Sequence, residues 1–270
     1  MLASPAVIPR CLTIAGSDSG GGAGIQADLK AFAALGCYGM SAIVALTAQS
    51  TTEVRSVHEA PPEFVRDELE VVFEDIGVDA AKTGMLFSRP IIETVVAFLT
   101  TRRVSLVVDP VMVAASGAKL LRDDAVEVLV ERLLPLATVV TPNLHEACAL
   151  AGVPYSDDAN REELAEKIHA LGASAVVVTG GHGTQAVDWL YDGAQHVPIT
   201  VERHESDATH GAGCTHSASL TALLARGESL EDAARGAARI ASEAVQAGLT
   251  EIGAGSGPVD VLNLESVRSR

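Results

Sequence analysis

The chain has 270 residues, of which 48% are hydrophobic and only 3% aromatic, and it carries a formal net charge of −16. This length and hydrophobic content favour a large α/β domain with a packed core over a disordered or fibrous chain. No basic run offsets the negative charge, which argues against a nucleic-acid partner because such a partner requires a basic face.

Apolar, β-rich runs alternate with helical patterns through the first half of the chain. In order, they read CLTIAG, GIQADLKAFAALG, YGMSAIVAL, PEFVRDELEVVFEDI, DAAKTGML, RPIIETVVAFLTT and VSLVVDPVM. This alternation of strands and helices predicts βαβ units. The strands are continuous apolar runs, which is typical of parallel strands that helices cover on both faces.

The second half continues this alternation and then changes. Its runs are DDAVEVLVERLL, ATVVTPN, LHEACALAG, NREELAEKIHALG and SAVVVTGG. The next stretch, VDWLYDGAQHVPI, has two short runs around Asp192 and Gly193, which predicts a hairpin of antiparallel edge strands. Two helices follow, and the second begins at Ser229, with Asp232 three residues later as in a capping box. Together, the runs of both halves predict a mostly parallel sheet of roughly eight strands.

The first ten residues and the cysteines bear on location. MLASPAVIPR lacks a basic start and contains two prolines, so it is a poor signal peptide. No apolar stretch reaches the roughly 18 residues of a membrane span. We therefore expect a cytoplasmic protein with no membrane partner. The four cysteines, Cys11, Cys37, Cys148 and Cys214, have no C-x-x-C spacing, so we expect neither disulfides nor structural metal.

Polar loops follow most of the predicted strands. They read GSDSGGGAG, TAQS, KTGM, DP, TPNLHE, TGGH and HGAGCT. Ligands of open α/β sheets bind outside the carboxyl ends of the strands, so these loops predict a single binding mouth.

Two common nucleotide motifs are weak or absent. Gly22, Gly24 and Ala27 match the dinucleotide pattern G-x-G-x-x-A, but the following strand does not end in the acidic residue that a dinucleotide ribose requires. No Gly-Lys dipeptide occurs, which excludes a Walker A loop. A dinucleotide-dependent dehydrogenase is therefore disfavoured, and any nucleotide must be bound by a different motif.

The stretch HGAGCT is a candidate for such a nucleotide-binding motif. Gly211, Ala212 and Gly213 can turn tightly enough to direct successive backbone N–H groups at one point, and the helix that follows adds roughly half a positive charge. This arrangement suits an oxyanion. From these residues alone, an ordinary glycine-rich helix entry explains the stretch equally well.

Three oxygen-bearing side chains suggest a cation site. Asn143 and Glu146 stand one turn apart at a helix start, and Asp109 ends the strand SLVVDP. Together they could hold a hydrated Mg²⁺, which prefers few carboxylates and several waters. Individually, Asp109 and Asn143 are also explained as helix caps, and Glu146 as a solvated helix residue.

Seven stretches carry a family resemblance, which extends from about Leu12 to Gly248. They are TIAGSDSGGGAGIQADLK, TAQS, KTGML, VVDPVMV, LLPLATVVTPNLHEA, GGH and THGAGCTHSA. With them the chain resembles the hydroxymethylpyrimidine and phosphomethylpyrimidine kinases of thiamine biosynthesis, which belong to the ribokinase-like superfamily. The resemblance implies a single three-layer α/β/α domain over residues 1–270. The tail beyond Glu251 is rich in Gly and Ser, and we expect residues 1–10 and 252–270 to form loose termini.

The resemblance also implies an activity and its ligands. The enzyme would use ATP and Mg²⁺ to phosphorylate 4-amino-5-hydroxymethyl-2-methylpyrimidine, and then its monophosphate, in a single site. Relatives commonly form homodimers. The implied pyrimidine-binding residues are Gly16, Asp28 and Gln49, with Met85 and Val111 as apolar walls; Thr179, Gly181 and His210 would bind ATP; and Asp109, Asn143 and Glu146 would bind the metal.

The resemblance places Gly211, Ala212, Gly213 and Cys214 at the transferring phosphate. Related sugar kinases have an aspartate after this glycine turn, which takes the proton of the acceptor hydroxyl, whereas the pyrimidine kinases have cysteine. A helix N-terminus can lower a thiol pKa enough to make a thiolate base. Phosphoryl transfer depends mainly on positioning, so Cys214 could equally act by shape and polarity. Both roles stay open.

Two positions depart from the family pattern. Thr179 and Ala115 stand where family members often carry lysine, in K-G-G-H and V-A-K-S-G. Both changes remove positive charge near the expected path of phosphate. Thr-Gly-Gly also occurs in related pyridoxine kinases, which makes vitamin B6 phosphorylation the main alternative, and a binding protein without transfer activity a further one. Thr47 to Gln49, reading TAQ, favours the pyrimidine.

Overall fold

A computed structural model describes residues 8–113, 117, 120–181, 186–264 and 266. Within these residues, nine strands form one sheet. The strands are β1 (Arg10–Asp18), β2 (Tyr38–Gln49), β3 (Val54–Glu59), β4 (Ala80–Thr83), β5 (Ser105–Val108), β6 (Val139–Val140), β7 (Val176–Val178), β8 (Val187–Tyr191) and β9 (His196–Thr200). Their order across the sheet is β3-β2-β1-β4-β5-β6-β7-β8-β9.

The centre of the sheet is parallel and its edges are antiparallel. Strands β2, β1, β4, β5, β6 and β7 pair in parallel. The predicted hairpin around Asp192 and Gly193 is confirmed, because β8 pairs antiparallel with both β7 and β9. The opposite edge strand, β3, was not predicted. Its sequence VRSVHE is largely polar, and its pairing with β2 makes it a strand.

Helices cover both faces of the sheet, which confirms the three-layer α/β/α prediction. They are α1 (Gly24–Ala34), α2 (Pro62–Val71), α3 (Arg89–Leu99), α4 (Asp123–Val128), α5 (Leu144–Leu150), α6 (Arg161–His169), α7 (Ala212–Ala225) and α8 (Leu230–Gln246). Helices α1, α7 and α8 pack on one face, and α2 to α6 supply the core of the other. No helix in the described ranges is long and apolar enough to cross a bilayer.

Alternating side chains of the buried strands supply the two cores. In β5, Val107 contributes to the core under α7 and α8, whereas Leu106 and Val108 contribute to the core on the other face. Successive strand residues point to opposite faces, so a strand covered on both sides must be apolar throughout. This is the physical reason for the continuous apolar runs in the sequence.

The parallel strands bring the polar loops to one edge of the sheet. Five strands end directly before a predicted ligand loop or inside one. They are β1, β4, β5, β6 and β7. The end of β2, at Gln49, lies beside the end of β1, because Asp18 pairs with Thr47. The single mouth predicted from the loops therefore exists.

The chain after α8 returns to this edge. Gly255 N–H donates to Thr51 Oγ1 at 3.1 Å, and Gly257 N–H donates to the Asp207 carbonyl at 3.1 Å. These two residues of the Gly- and Ser-rich segment predicted to be loose are thus hydrogen-bonded to the folded chain. The extent of the single domain, 1–270, stays a prediction.

Candidate active site

A cavity of about 1080 Å³ lies at the carboxyl ends of the parallel strands. Every site residue predicted from the sequence lines it: Gly16, Asp28, Gln49, Met85, Asp109, Val111, Asn143, Glu146, Thr179, Gly181, His210, Gly211, Ala212, Gly213 and Cys214. The structure therefore brings these residues together, and their chemical roles stay predictions. Ala115 and His182 lie outside the described residues.

The glycine turn before α7 has the geometry of an anion site. Gly211 has a φ of 84°, and a Cβ added there would overlap the carbonyl oxygen of Gly22, so this position requires glycine. The N–H groups of Gly213 and Cys214 have no hydrogen-bond partner among the described residues. Unpaired N–H groups at a helix N-terminus attract anions.

Beneath this turn lies a buried lysine whose role the sequence did not reveal. Lys82, in β4, is 0% exposed, and its Nζ lies 2.7 Å from Asp28 Oδ1 and 3.7 Å from Asp109 Oδ2. Burial lowers the pKa of Lys82, but the charges of Asp28 and Asp109 outweigh burial and raise it above its ordinary value. Lys82 is therefore a permanent cation. The available signal was a charged residue within the apolar strand DAAKTGML.

The two carboxylates around Lys82 are held in place by hydroxyl groups. Thr13 Oγ1 donates to Asp28 Oδ2 at 2.6 Å, and Ser217 Oγ donates to Asp109 Oδ2 at 2.8 Å. Ser217 belongs to α7, so this bond joins the helix of the anion turn to the end of β5. Both hydroxyls are buried with the ions that they bind. The result is a charged network in which each carboxylate lies beside the Lys82 ammonium and accepts a hydrogen bond from a hydroxyl group.

Asn143 and Glu146 form a capping box at the start of α5. Glu146 N–H donates to Asn143 Oδ1 at 3.0 Å, and Asn143 N–H donates to Glu146 Oε2 at 3.0 Å. The capping explanation of Asn143 is thus confirmed, whereas Glu146 is buried rather than solvated. Burial first, and then the negative charge of Asp109, raise the pKa of Glu146 to about 8.

The donor set of this corner fits a hydrated magnesium ion. Asp109 and Glu146 present two buried carboxylates whose charges oppose each other, and a cation between them would relieve that repulsion. The Asn143 oxygen keeps a second lone pair beyond its cap bond. Within the described ranges, no three His, Cys, Asp or Glu side chains cluster as a metal cage. Mg²⁺ commonly takes one or two carboxylates and keeps several waters.

The predicted pyrimidine-binding residues lie at the β1, β2 and β4 ends. Gly16 N–H donates to the Met85 carbonyl at 3.1 Å, and a Cβ on Gly16 would collide with the Met85 side chain. Gln49 Oε1 accepts a hydrogen bond from Thr47 Oγ1 at 3.2 Å, which orients the amide. Asp28 differs from these residues because Lys82 and Thr13 already occupy both of its oxygens.

Cys214 stands at the junction of these groups. Burial raises the pKa of its thiol to about 12, the Lys82 charge acts in the opposite direction, and the charges of Asp28 and Asp109 raise it further. At neutral pH the side chain is therefore a thiol, in contrast to the thiolate that a helix N-terminus alone would favour.

His210 couples the anion turn to the first glycine loop. Its Nε2 lies 2.9 Å from Asp18 Oδ2, and Asp18 also accepts N–H bonds from Gly20, Gly22 and Ala23. Burial raises the pKa of Asp18, but the His210 bond and the backbone donors outweigh burial, and the net pKa is lowered. The His210 ring, predicted to bind ATP, is thus in contact with Asp18 of the first glycine loop.

The remaining wall of the cavity is formed by the β7 end, β8 and α8. Thr179 N–H donates to the Pro142 carbonyl at 2.9 Å, which places the predicted ATP loop next to Asn143. Gly180 N–H donates to Asp188 Oδ1 at 2.6 Å. Asp188 and His216 also line the cavity, and neither was singled out from the sequence.

Comparison with known proteins gives consistent results. A family model described as phosphomethylpyrimidine kinase matches residues 18–260. The thiamine biosynthesis bifunctional protein ThiED of Geobacter sulfurreducens is 49% identical over 96% of this chain, which spans 54% of that protein's length. The hydroxymethylpyrimidine/phosphomethylpyrimidine kinase of Bacillus subtilis is 44% identical over 94% of both chains.

A solved structure also superimposes well. The pyridoxal kinase of Staphylococcus aureus, in complex with AMP-PCP and pyridoxal, matches with a TM-score of 0.87 and 35% sequence identity. The match covers 97% of this chain and 96% of that one. The similarity extends over the whole sheet and both helical layers.

Proposed function

Because this chain belongs to the phosphomethylpyrimidine kinase family, we propose that it phosphorylates hydroxymethylpyrimidine and then its monophosphate with ATP, in thiamine biosynthesis. The main support for this proposal is that one cavity is lined both by the glycine turn and by the predicted pyrimidine-binding residues. This cavity joins an open anion turn at Gly211–Gly213 to the amide of Gln49 and the apolar side chain of Met85. A kinase site requires this proximity, because the acceptor hydroxyl must meet the transferred phosphate.

The anion turn would bind the transferring phosphoryl group. The acceptor hydroxyl forms a new O–P bond while the bond from that phosphorus to the ADP oxygen breaks, and the hydroxyl proton passes to an oxygen of the transferred phosphoryl group. Charge on the phosphoryl oxygens is stabilised by donors that are fixed beforehand. The unpaired N–H groups of Gly213 and Cys214 are such donors, and Lys82 adds a buried positive charge nearby.

Asp109 and Glu146, with Asn143, would hold the magnesium ion. When bound, the ion supplies charge neutralisation to the phosphates. The chain's own contribution is to keep these oxygens in place: Ser217 and Lys82 fix Asp109, and the capping box fixes Glu146.

Cys214 is proposed as a positioning residue instead of a base. Its raised pKa keeps it a thiol. A neutral sulfur beside the acceptor hydroxyl contributes shape and weak polarity. Activity would then show no ionisation of a thiol near neutral pH.

Gln49 would recognise the aminopyrimidine ring. Its amide can donate and accept at once, which suits a ring nitrogen beside an exocyclic amine. Met85 and Val111 would contact the faces of the ring. Thr179 and Gly181 would lie along the nucleotide.

A second candidate function is pyridoxal phosphorylation. The S. aureus pyridoxal kinase that superimposes on this chain favours it, as does Thr179 in place of lysine. We also propose a cytoplasmic location, on the poor signal peptide of the sequence, and a homodimer, on the family resemblance.

The deciding experiment is a product analysis. The purified protein is incubated with MgATP and either hydroxymethylpyrimidine or pyridoxal, and the products are resolved by mass. We expect pyrimidine mono- and diphosphates. Monophosphate alone would show that the charges missing at Thr179 and Ala115 are needed for the second transfer. Pyridoxal phosphate without pyrimidine products would overturn the assignment in favour of the second candidate.

A further inference from the structure

The side chains of Thr47 and Gln49, two positions apart on β2, are in contact. Residues i and i+2 of a strand lie on the same face, which brings the Thr47 hydroxyl to the Gln49 amide. Thr47 Oγ1 lies 3.2 Å from Gln49 Oε1 and 2.8 Å from the carbonyl oxygen of Ser17, on the neighbouring strand β1. Thr47 is buried, whereas Gln49 is partly exposed and lines the cavity. A ligand can therefore reach the amide of Gln49.

The single proton of the Thr47 hydroxyl cannot fully serve both acceptors. Ser17 offers the nearer one, and a hydroxyl that donates to it has only lone pairs left for Gln49. With Oε1 on the Thr47 side, lone pairs would then face each other. The two ends of an amide have the same shape, and a half-turn exchanges them. With Nε2 on the Thr47 side, both hydrogen bonds form at once, so this orientation is the better satisfied one.

The backbone of Gln49 is held separately from its amide. Ser19 Oγ donates to the Gln49 carbonyl at 2.8 Å and accepts the Gln49 N–H at 2.8 Å. Among the described residues, the amide of Gln49 has one hydrogen-bond partner, which is Thr47. Thr47 therefore decides which end of the amide is left for a ligand.

We propose that Thr47 is a positioning residue that holds Nε2 of Gln49 on its own side, so that Gln49 offers Oε1 as the acceptor of an exocyclic N–H of the substrate. The second Nε2 hydrogen remains for a ring nitrogen beside that amine. The site thus selects an aromatic heterocycle with an amine next to a ring acceptor. Pyridoxal has no exocyclic N–H, so this orientation disfavours the second candidate. The inference rests on the proposed function, since it names the feature of the substrate that the same site selects.

An analogue with the reversed hydrogen-bond pattern tests this orientation. In 5-hydroxymethyl-2-methylpyrimidin-4(3H)-one, a carbonyl acceptor replaces the amine and the adjacent ring nitrogen carries a hydrogen. Calorimetry without nucleotide compares the affinities of this oxo compound and of hydroxymethylpyrimidine. We expect the wild type to prefer the amine by about 10-fold or more, because the oxo compound leaves polar groups unpaired. Equal affinities would show that the proposal is wrong.

Thr47→Val removes the hydroxyl and frees the amide to turn. The preference for the amine should fall about 3-fold or more, as for one neutral hydrogen bond, and Thr47→Ser, which keeps the hydroxyl, should restore it. A merely structural role would weaken the binding of both compounds equally, and an unchanged preference in Thr47→Val would overturn the proposal. If Thr47→Val does not fold, Gln49→Leu decides the matter. The preference must disappear in that variant, and its persistence would contradict the proposal.

Thr221→Val provides a matched control. Thr221 Oγ1 likewise donates to a backbone carbonyl, that of Ser217, at 2.8 Å, and Thr221 is buried but is not among the residues that line the cavity. This variant should keep the wild-type preference, and an equal loss would contradict a specific role for Thr47. Wild-type protein that prefers the amine yet phosphorylates no pyrimidine would refute the proposed function and leave this inference standing. Pyrimidine phosphorylation without a preference for the amine would do the reverse.

Discussion

Two neighbouring regions of the cavity differ in how completely their polar groups are paired. In the charged network, Lys82, Asp28 and Asp109 form ion pairs that hydroxyl donors complete. At the glycine turn before α7, the N–H groups of Gly213 and Cys214 have no hydrogen-bond partner among the described residues. The first region is organised before any ligand arrives, whereas the second leaves donors for a ligand to satisfy.

This difference matches what the proposed reaction needs from the two regions. Phosphoryl transfer needs charges that do not reorganise during the reaction, so a buried, internally paired network suits it. A phosphate group that must enter and leave is bound by donors that gain partners only when it is present. Substitutions in the two regions should therefore affect stability and turnover differently.

The largest effect is expected from Lys82→Met. The substitution leaves Asp28 and Asp109 buried without their cation, and breaking a buried pair in this way costs about 3–5 kcal/mol. Urea unfolding should register this loss, and turnover should fall with it. The double variant Lys82→Met, Asp28→Asn should recover part of the stability, because it removes the orphaned charge.

Arg66→Met is the matched surface control. Arg66 pairs with Glu70 at 2.7 Å on an exposed helix face. Its removal should leave unfolding nearly unchanged. If Lys82→Met were as mild as this control, the view of a preorganised charged centre would have to be abandoned.

Gly213→Val should have the next largest effect, on turnover instead of stability. A Cβ at this position meets nothing within 4 Å, so the fold should tolerate it. The added bulk would keep phosphate from the free N–H groups, and we expect kcat to fall about 100-fold or more, by analogy with the loss of one oxyanion donor. Pyrimidine binding, measured by calorimetry, should persist.

Gly213→Ala gives a graded control for this position, with a smaller loss of kcat expected. Normal turnover in Gly213→Val would remove the anion-site assignment. A matching loss of pyrimidine affinity would instead indicate that the turn had been disrupted as a whole.

The smallest effect concerns the pH dependence of stability through Asp18. Its folded-state pKa lies below the unfolded value of 3.8. Its bonds therefore contribute stability that is fully present above the unfolded pKa and is lost as pH falls through the folded pKa. We expect Asp18→Asn to flatten this part of the acid dependence of Tm. Parallel curves for the variant and the wild type below about pH 4 would contradict the prediction.

Local patterns in the sequence determined much of this protein. The continuous apolar runs predicted a parallel sheet covered on both faces, and the Asp192–Gly193 turn predicted its antiparallel edge. The loops at the strand ends identified the lining of the cavity. Asn143 and Glu146 could be recognised as a pair because the two partners of a capping box are only three positions apart.

The tertiary structure alone decided the long-range pairings. Lys82 and Asp28 are separated by 54 positions in the sequence, and His210 and Asp18 by 192. The contact of His216 with Asp188 and the pairing of β3 with β2 were likewise invisible from local patterns. Periodicity reports which face of an element is buried, but the partner across that face depends on strand order and helix placement, which the packing of the whole chain determines.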